Sequence, residues 1–267
     1  MYKRQNHASI VDGIILSRAE FVRYPHRDMA ALEKALQQTA ASRKKIIITD
    51  TVFSMDGDTA PLPEIVSLAE RFGAITMVDE AHATGVFGKG GRGLVNFCGL
   101  SDQVDVQMGT FSKAFGSLGG YICGKKKVID YLVNRSRAFI YTTSLPPAIL
   151  GACLEAVNVV ESGDGLRSKL WENTRFMQKE LTASGFDLMG SGSPIIPILV
   201  GDPEKAVEFS RLLLNEGIFL QAIRPPTVPA GQARLRLTVM ATHARDELFG
   251  AVATIGKIGR KIGVINA

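Results

Sequence analysis

The sequence predicts an α/β fold, a mostly parallel sheet with covering helices, followed by a smaller α+β lobe. Two patterns carry that expectation. The first is a β-α-β unit: residues 44–50 (KKIIITD) are a short β-branched run, residues 62–72 have helical apolar spacing closed by Gly73, and residues 74–79 are a second apolar run. The second is a change of alternation after Gly163-Asp164-Gly165, beyond which helix-like and strand-like segments succeed one another.

Taken in order, residues 104–110 (VDVQMGT) and 120–124 (GYICG) read as two further strands and residues 126–137 as a helix. Another helix is expected around residues 147–160, ahead of the glycine break. The second lobe then reads as helix 166–184, strand 194–200 (PIIPILV), helix 203–216, strand 235–240 (LRLTVM) and a last helix from residue 245. Two domains are therefore expected, residues 1–160 and 161–267. Arg224-Pro225-Pro226-Thr227-Val228-Pro229 reads as a rigid loop, because each proline fixes its own φ.

Composition narrows the function classes. The 267 residues are 46% hydrophobic and 21% charged, and no apolar run approaches the roughly 18–20 residues that span a bilayer. Met1-Tyr2-Lys3-Arg4-Gln5 leads into polar Asn6-His7 rather than an apolar stretch, so no secretory signal is read and a cytoplasmic location is expected. Cys98, Cys123 and Cys153 are widely spaced and contain no C-x-x-C pair, which argues against a disulfide framework and a metal site; buried thiols are expected. A formal charge of +5 spread along the chain favours an anionic substrate without implying nucleic acid. Neither nucleic acid nor a membrane is expected as a partner.

The stretch TMVDEAHATGVFG, residues 76–88, contains the letters DEAH of a helicase box. That acid matters only where a G-x-x-x-x-G-K-[ST] loop has already bound the nucleotide's phosphates. The nearest match, GGYICGKK at residues 119–126, has Lys126 where the metal-binding hydroxyl belongs, follows the DEAH letters instead of preceding them, and reads as strand. A nucleotide motor is therefore disfavoured.

In an open α/β sheet, ligands bind beyond the carboxyl ends of the strands. Three such ends offer Asp50 to Ser54, Asp79 with His82, and Thr110 to Lys113. An acid, an imidazole, hydroxyls and a lysine together suit pyridoxal phosphate, which needs a Schiff-base lysine, a carboxylate for its ring nitrogen and donors for its phosphate. Lys113 stands among the small residues Ser112, Ala114, Gly116, Gly119 and Gly120, which allow a flat ring to approach. Plainer readings stand beside these: Lys113 as a solvated lysine, Asp79 and His82 as a strand-end turn with satisfied polar groups, Ser54 as a turn residue, His7 as a surface histidine. Arg234 and Arg236 alternate along a strand and share one face, either as a solvated edge or as a bidentate carboxylate site.

At these residues the chain resembles the α-oxoamine synthases, fold-type-I PLP-dependent transferases that condense an amino acid with an acyl thioester. The resemblance runs through NHASIVDG (residues 6–13), TVFSMDGDTAPL, VDEAHATGVFGKGGRG, MGTFSKAFGSLGGYICG, FIYTTSLPPA and IRPPTVPAGQARLRLTVMATH, nearly the whole chain. It implies that Lys113 forms the Schiff base and removes the α-proton, that Asp79 pairs with the pyridine nitrogen, and that His82 contacts the ring oxygen. It further implies His7 stacked on the ring, Ser54 near the ring oxygen, Thr110 near the phosphate, and Thr142 reaching the phosphate in a partner subunit. Arg236 would hold the substrate carboxylate and Thr227 would lie in the loop facing the acyl chain.

The implied reaction is decarboxylative condensation. The last motif favours L-alanine with a pimeloyl thioester, carried by CoA or acyl carrier protein, as in biotin biosynthesis; glycine C-acetyltransferase, 5-aminolevulinate synthase and serine palmitoyltransferase types share the Lys113 chemistry. A homodimer is implied, since family sites lie at the subunit interface. The resemblance also implies roughly a hundred further residues before Asn6, an arm and a phosphate-cradling turn, so a weakly active or inactive chain, or a non-catalytic remnant that keeps the fold, is the alternative expectation.

Overall fold

The structure, a computed structural model, describes residues 6–266, and the reading of residues 1–5 lies outside it. The described residues group into two compact units, residues 6–52 with 60–164 and residues 53–59 with 165–266.

The first unit begins with α1 (Ala8–Ser17) and α2 (Met29–Gln38) and contains a four-stranded sheet of β1 (Ile46–Asp50), β2 (Ile75–Asp79), β3 (Val106–Thr110) and β4 (Gly120–Gly124) in the order β1-β2-β3-β4. The first three strands are parallel and β4 returns antiparallel, which agrees with the mostly parallel sheet expected. Between β1 and β2 runs α3 (Leu62–Phe72), whose Leu62, Ile65, Val66 and Ala69 are buried at helical spacing. Gly73 ends it in the left-handed region, φ 58°, with its N–H returned to the last turn. The remaining helices are α4 (Leu94–Phe97), α5 (Lys126–Arg135), α6 (Arg137–Ile140) and α7 (Pro147–Ser162).

Several boundaries differ from expectation. β3 starts at Val106 because the Asp105 carboxylate is used against β2, accepting from the Thr76 amide at 3.0 Å and hydroxyl at 3.2 Å. The helix expected to reach residue 137 stops at Arg135, where Ser136 turns extended and α6 begins. Buried thiols were expected, but only Cys153 is buried: Cys98 is half-buried and Cys123, on β4, is exposed. All three are free thiols.

The second unit carries α8 (Asp164–Ala183), β5 (Ile195–Gly201), α9 (Pro203–Asn215), β6 (Gln221–Ile223), β7 (Ala233–Thr238) and α10 (Arg245–Lys261). Its sheet is antiparallel in the order β5-β7-β6. The core joins both layers: Met177 and Leu181 of α8, Phe209 and Leu213 of α9 and Ile255 of α10 meet Ile196, Ile198 and Leu235 of the sheet. β6 escaped the sequence reading because three residues are too few to show alternation. The anticipated break narrows to Gly163, since Asp164 and Gly165 already belong to α8. No helix among the described residues is long and apolar enough to cross a membrane.

Residues 53–59 fold as a tight loop in this second unit: the Gly57 amide donates to Phe53 O at 2.8 Å and the Phe53 amide to Asp58 O at 3.0 Å. Gly57 has φ 68°, and a Cβ there would lie 2.0 Å from Ile195 O. Gly73 has a similar φ and nothing within 4 Å of its own virtual Cβ. Gly73→Ala should therefore cost only the left-handed backbone penalty, about 1–2 kcal/mol. Gly57→Ala should cost at least ~2 kcal/mol more, because backbone must move as well; urea unfolding of the two variants checks the difference.

Candidate active site at the strand ends

Parallel pairing brings Asp50 of β1 opposite Asp79 of β2. Paired positions in adjacent strands carry side chains to the same face of a sheet, with strands roughly 4.8 Å apart. Both carboxyls are buried, at 4% and 6% exposure. The chain stays paired just beyond them: the Thr51 amide donates to Asp79 O at 2.9 Å and the Glu80 amide to Met108 O at 2.7 Å. β1 and β2 thus end at the same level, and β3 runs two residues beyond Met108, the partner of Asp79, to Thr110.

Asn6 and His7 dock on this end. Asn6 Nδ2 donates to Ile48 O at 2.9 Å, its Oδ1 accepts from the Asp50 amide at 3.3 Å, and the His7 amide donates to Asp50 Oδ1 at 3.2 Å. The His7 ring is exposed and its Nδ1 lies 2.8 Å from Ser9 Oγ, at the start of α1. The helix and the strand end therefore share one anchor.

After β2 the chain makes a helical turn. Asp79 Oδ1 accepts the Ala81 amide at 2.8 Å, and Ala83 and Thr84 return their amides to Glu80 O. His82 sits half-buried in that turn. Glu80 serves the scaffold: its carboxylate accepts the Leu94 amide at 2.8 Å, the Val95 amide at 2.7 Å and the Thr51 hydroxyl at 3.3 Å. Its oxygens occupy the space a Cβ on Gly93 would need, 2.4 Å away. An acid so fully used by α4 and Thr51 does not present the free carboxylate that a metal-binding helicase box requires.

Lys113 lies exposed in the turn between β3 and β4, with its carbonyl accepting the Gly116 amide at 3.0 Å. Phe111 N–H closes the loop onto Gly119 O at 2.9 Å, and Phe111, Phe115 and Tyr121 form an aromatic cluster under it. Two contacts tie this loop to the turn after β2. The Tyr121 hydroxyl donates to Thr84 Oγ1 at 2.8 Å, and a Cβ on Gly85 would come within 2.6 Å of Ala114 Cβ. Thr110 Oγ1 donates to Gly119 O at 2.9 Å and accepts from the Ser112 amide at 3.1 Å. Thr142 is exposed, its Oγ1 accepting the Ser144 amide at 3.3 Å.

Charge at the strand ends is uneven. Burial, and then repulsion from Asp79, pushes the Asp50 carboxyl up to about 7, against the pull of the His7 amide and Lys113. Burial also raises Glu80 despite its two backbone donors, and raises the Tyr121 phenol.

The other predicted residues lie in the second unit. Ser54 stands in the 53–59 loop, and its carbonyl accepts Arg236 Nε at 2.6 Å; Arg236 Nη1 donates to Thr238 Oγ1 at 3.2 Å. Burial lowers the affinity of the Arg236 guanidinium for its proton. Arg234 is 1% exposed and ion-paired to Asp56, with Nε on Gln232 O at 2.9 Å. Thr227 is exposed, its amide bonded to Arg224 O at 3.0 Å. His7, Asp79, His82, Thr110, Lys113 and Thr142 thus fall in one unit and Ser54, Thr227 and Arg236 in the other. Sequence reasoning placed Asp50 at a strand end without giving it a role, and gave none to Asn6, Glu80 or Tyr121. Only Asp50 carried a usable signal, its place at a strand end.

The donor set fits the ring end of PLP: a buried acid at the end of β2, a primary amine on the loop after β3, and an imidazole in the turn that follows the acid. Residues 1–255 match the aminotransferase class I and II family. The chain is 52% identical to the 8-amino-7-oxononanoate synthase of Citrifermentans bemidjiense, over 98% of this chain and 68% of that protein. A serine palmitoyltransferase variant from S. paucimobilis, solved with a bound PLP–myriocin aldimine, superposes with a TM-score of 0.94 at 34% identity, covering 98% of this chain and 66% of that one. The 8-amino-7-oxononanoate synthase of Francisella tularensis gives 0.81 at 31%, over 97% and 74%. The chain spans about two thirds of the length of the first two of these relatives.

Removing the Glu80 acceptor should separate scaffold from chemistry. Glu80→Ala strands two buried amides and is expected to cost about 2–4 kcal/mol of stability, while Glu80→Gln, which keeps one acceptor oxygen, costs less. Denaturant melts of both variants, without ligand, give the order.

Proposed function

Because the chain belongs to the aminotransferase class I and II family and to its α-oxoamine synthase branch, we propose that it is a PLP-dependent acyltransferase joining L-alanine to a pimeloyl thioester. The products are 8-amino-7-oxononanoate, carbon dioxide and the free thiol of CoA or acyl carrier protein. The observation that carries this is the 52% identity to a protein of that name over nearly all of this chain, together with the acid and amine at adjoining strand ends.

PLP, when bound, supplies an electron sink that stabilises negative charge at the carbon attached to the amino group. Asp79, buried and held by the Ala81 amide, would pair with the ring nitrogen of PLP. Lys113 Nζ would tether the cofactor and would be the base for the α-proton of alanine. His7 would cover the ring face and His82 would donate to the ring oxygen, the oxygen to which Ser54 is also assigned. Thr110, whose hydroxyl donates to Gly119 O, would serve the phosphate, and Thr142 would serve the phosphate of a second copy. Arg236 binds the substrate carboxylate and Thr227 borders the acyl chain. A homodimer belongs to the same proposal, supported by the exposed apolar side chains Tyr131, Phe139, Tyr141 and Leu154 on α5 to α7 and the segments between them.

Borohydride reduction of the full chain after incubation with PLP is expected to place a phosphopyridoxyl group on Lys113, read by peptide mass mapping; labelling scattered over surface lysines would overturn the assignment. With alanine and pimeloyl-CoA, Lys113→Ala should lower turnover by about 10²- to 10⁴-fold, the span of a lost acid–base group. Serine with palmitoyl-CoA in the same assay tests the palmitoyltransferase chemistry of the structural relative, and no turnover is expected.

A further inference from the structure

We propose that Asp50 is the proton-holding member of the carboxyl pair that it forms with Asp79. Asp50 would then be a positioning residue that acts through Asp79, fixing which of two adjacent acids faces a cationic ring nitrogen.

The geometry carries the argument. Asp50 and Asp79 are register partners on neighbouring parallel strands, point to one face, and are both buried. Two carboxylates so close cannot both ionise cheaply, and the pair shares its protons according to local hydrogen bonding. The local bonds differ. Asp79 accepts the Ala81 amide at 2.8 Å inside a tight turn. Asp50 accepts the His7 amide at a longer 3.2 Å. The charged and titratable groups facing Asp50 are Asp79 from β2, Lys113 from the loop after β3, and His7, which reaches it through its backbone amide. Asp79 raises the Asp50 carboxyl, Lys113 and the His7 amide lower it, and burial exceeds each of them.

The sign follows. Asp50 binds a proton more tightly in the folded chain than in the unfolded one. Its contribution to stability is complete below the unfolded value near 4 and is lost as pH rises through about 7. Only the functional meaning of the pair rests on the cofactor reading, so the test is made without PLP.

The full chain is labelled with ¹³Cγ-aspartate and titrated by NMR, the Asp50 resonance being assigned by its absence in Asp50→Asn. The expected midpoint for Asp50 is about 7. Asp79→Asn should lower it by about one pH unit, and Lys113→Met should raise it. These opposite responses do not follow from a merely structural acid. An Asp50 carboxyl that titrates near 4, or whose midpoint ignores Asp79→Asn, overturns the proposal. Either result leaves the borohydride test at Lys113 unaffected, so the two readings fail separately.

Discussion

The register of β1 against β2 is the constraint on which the site depends. Pairing Asp50 with Asp79 makes both strands end at the same level and puts two acids on one face. A slip of one residue would turn one carboxyl to the opposite face, since strand side chains alternate. The Thr51 amide and hydroxyl, both on Asp79 O, continue that pairing past the strand ends, while Asn6 braces β1 at Ile48 and Asp50 and the Glu80 amide extends the pairing of β2 with β3. Polar groups at the open end of a sheet are thereby fixed before any ligand arrives, the preorganisation that electrostatic catalysis requires.

Two neighbouring acids, Asp79 and Glu80, are used differently: Asp79 is register partner to Asp50, and Glu80 is scaffold. Alternation sends them apart, and Glu80 becomes the acceptor for the first amides of α4 and for Thr51. Gly93 admits it, with φ 98° and no side chain in the space its oxygens occupy. The letters DEAH therefore carry no fixed meaning. In a nucleotide motor they would hold a metal beside bound phosphates; here the glutamate is consumed by backbone, and the aspartate and histidine remain with the turn.

Most of the sheet was legible because β1 and β2 are short apolar runs on either side of a helix closed by Gly73, from which their parallel order followed. The strand-end rule then singled out Asp79 and Lys113 as candidates without any contact information. What was not legible depended on pairing across long separations. Asp50 becomes a site acid only once Asp79 stands beside it, and Glu80 becomes structural only once the Gly93 loop folds back. Tyr121 illustrates the same limit: its bond to Thr84 joins residues 37 positions apart in sequence, and neither residue signals the other. The thiols failed for a simpler reason, since composition places cysteine inside whereas β4 leaves Cys123 on an exposed strand.

Arg234 and Arg236 show why alternation alone does not identify a ligand site. Both stand on β7 with the same parity, and both reach the 53–59 loop within their own unit. Arg234 spends its guanidinium on Asp56, Met55 and Gln232 and is almost wholly enclosed, so its charge is already neutralised where it lies. A buried pair of that kind is costly to break and has little left to offer an anion. Arg236 uses Nε on Ser54 O and Nη1 on Thr238, out of the five N–H donors a guanidinium carries. The first bond fixes the plane of the fork, and no carboxylate in the second unit is ion-paired with it among the described residues. An incoming carboxylate would meet an oriented cation whose partial burial strengthens the attraction. Between two arginines of identical periodicity, the identity of the neighbouring acid decides which one builds the fold and which one is suited to bind.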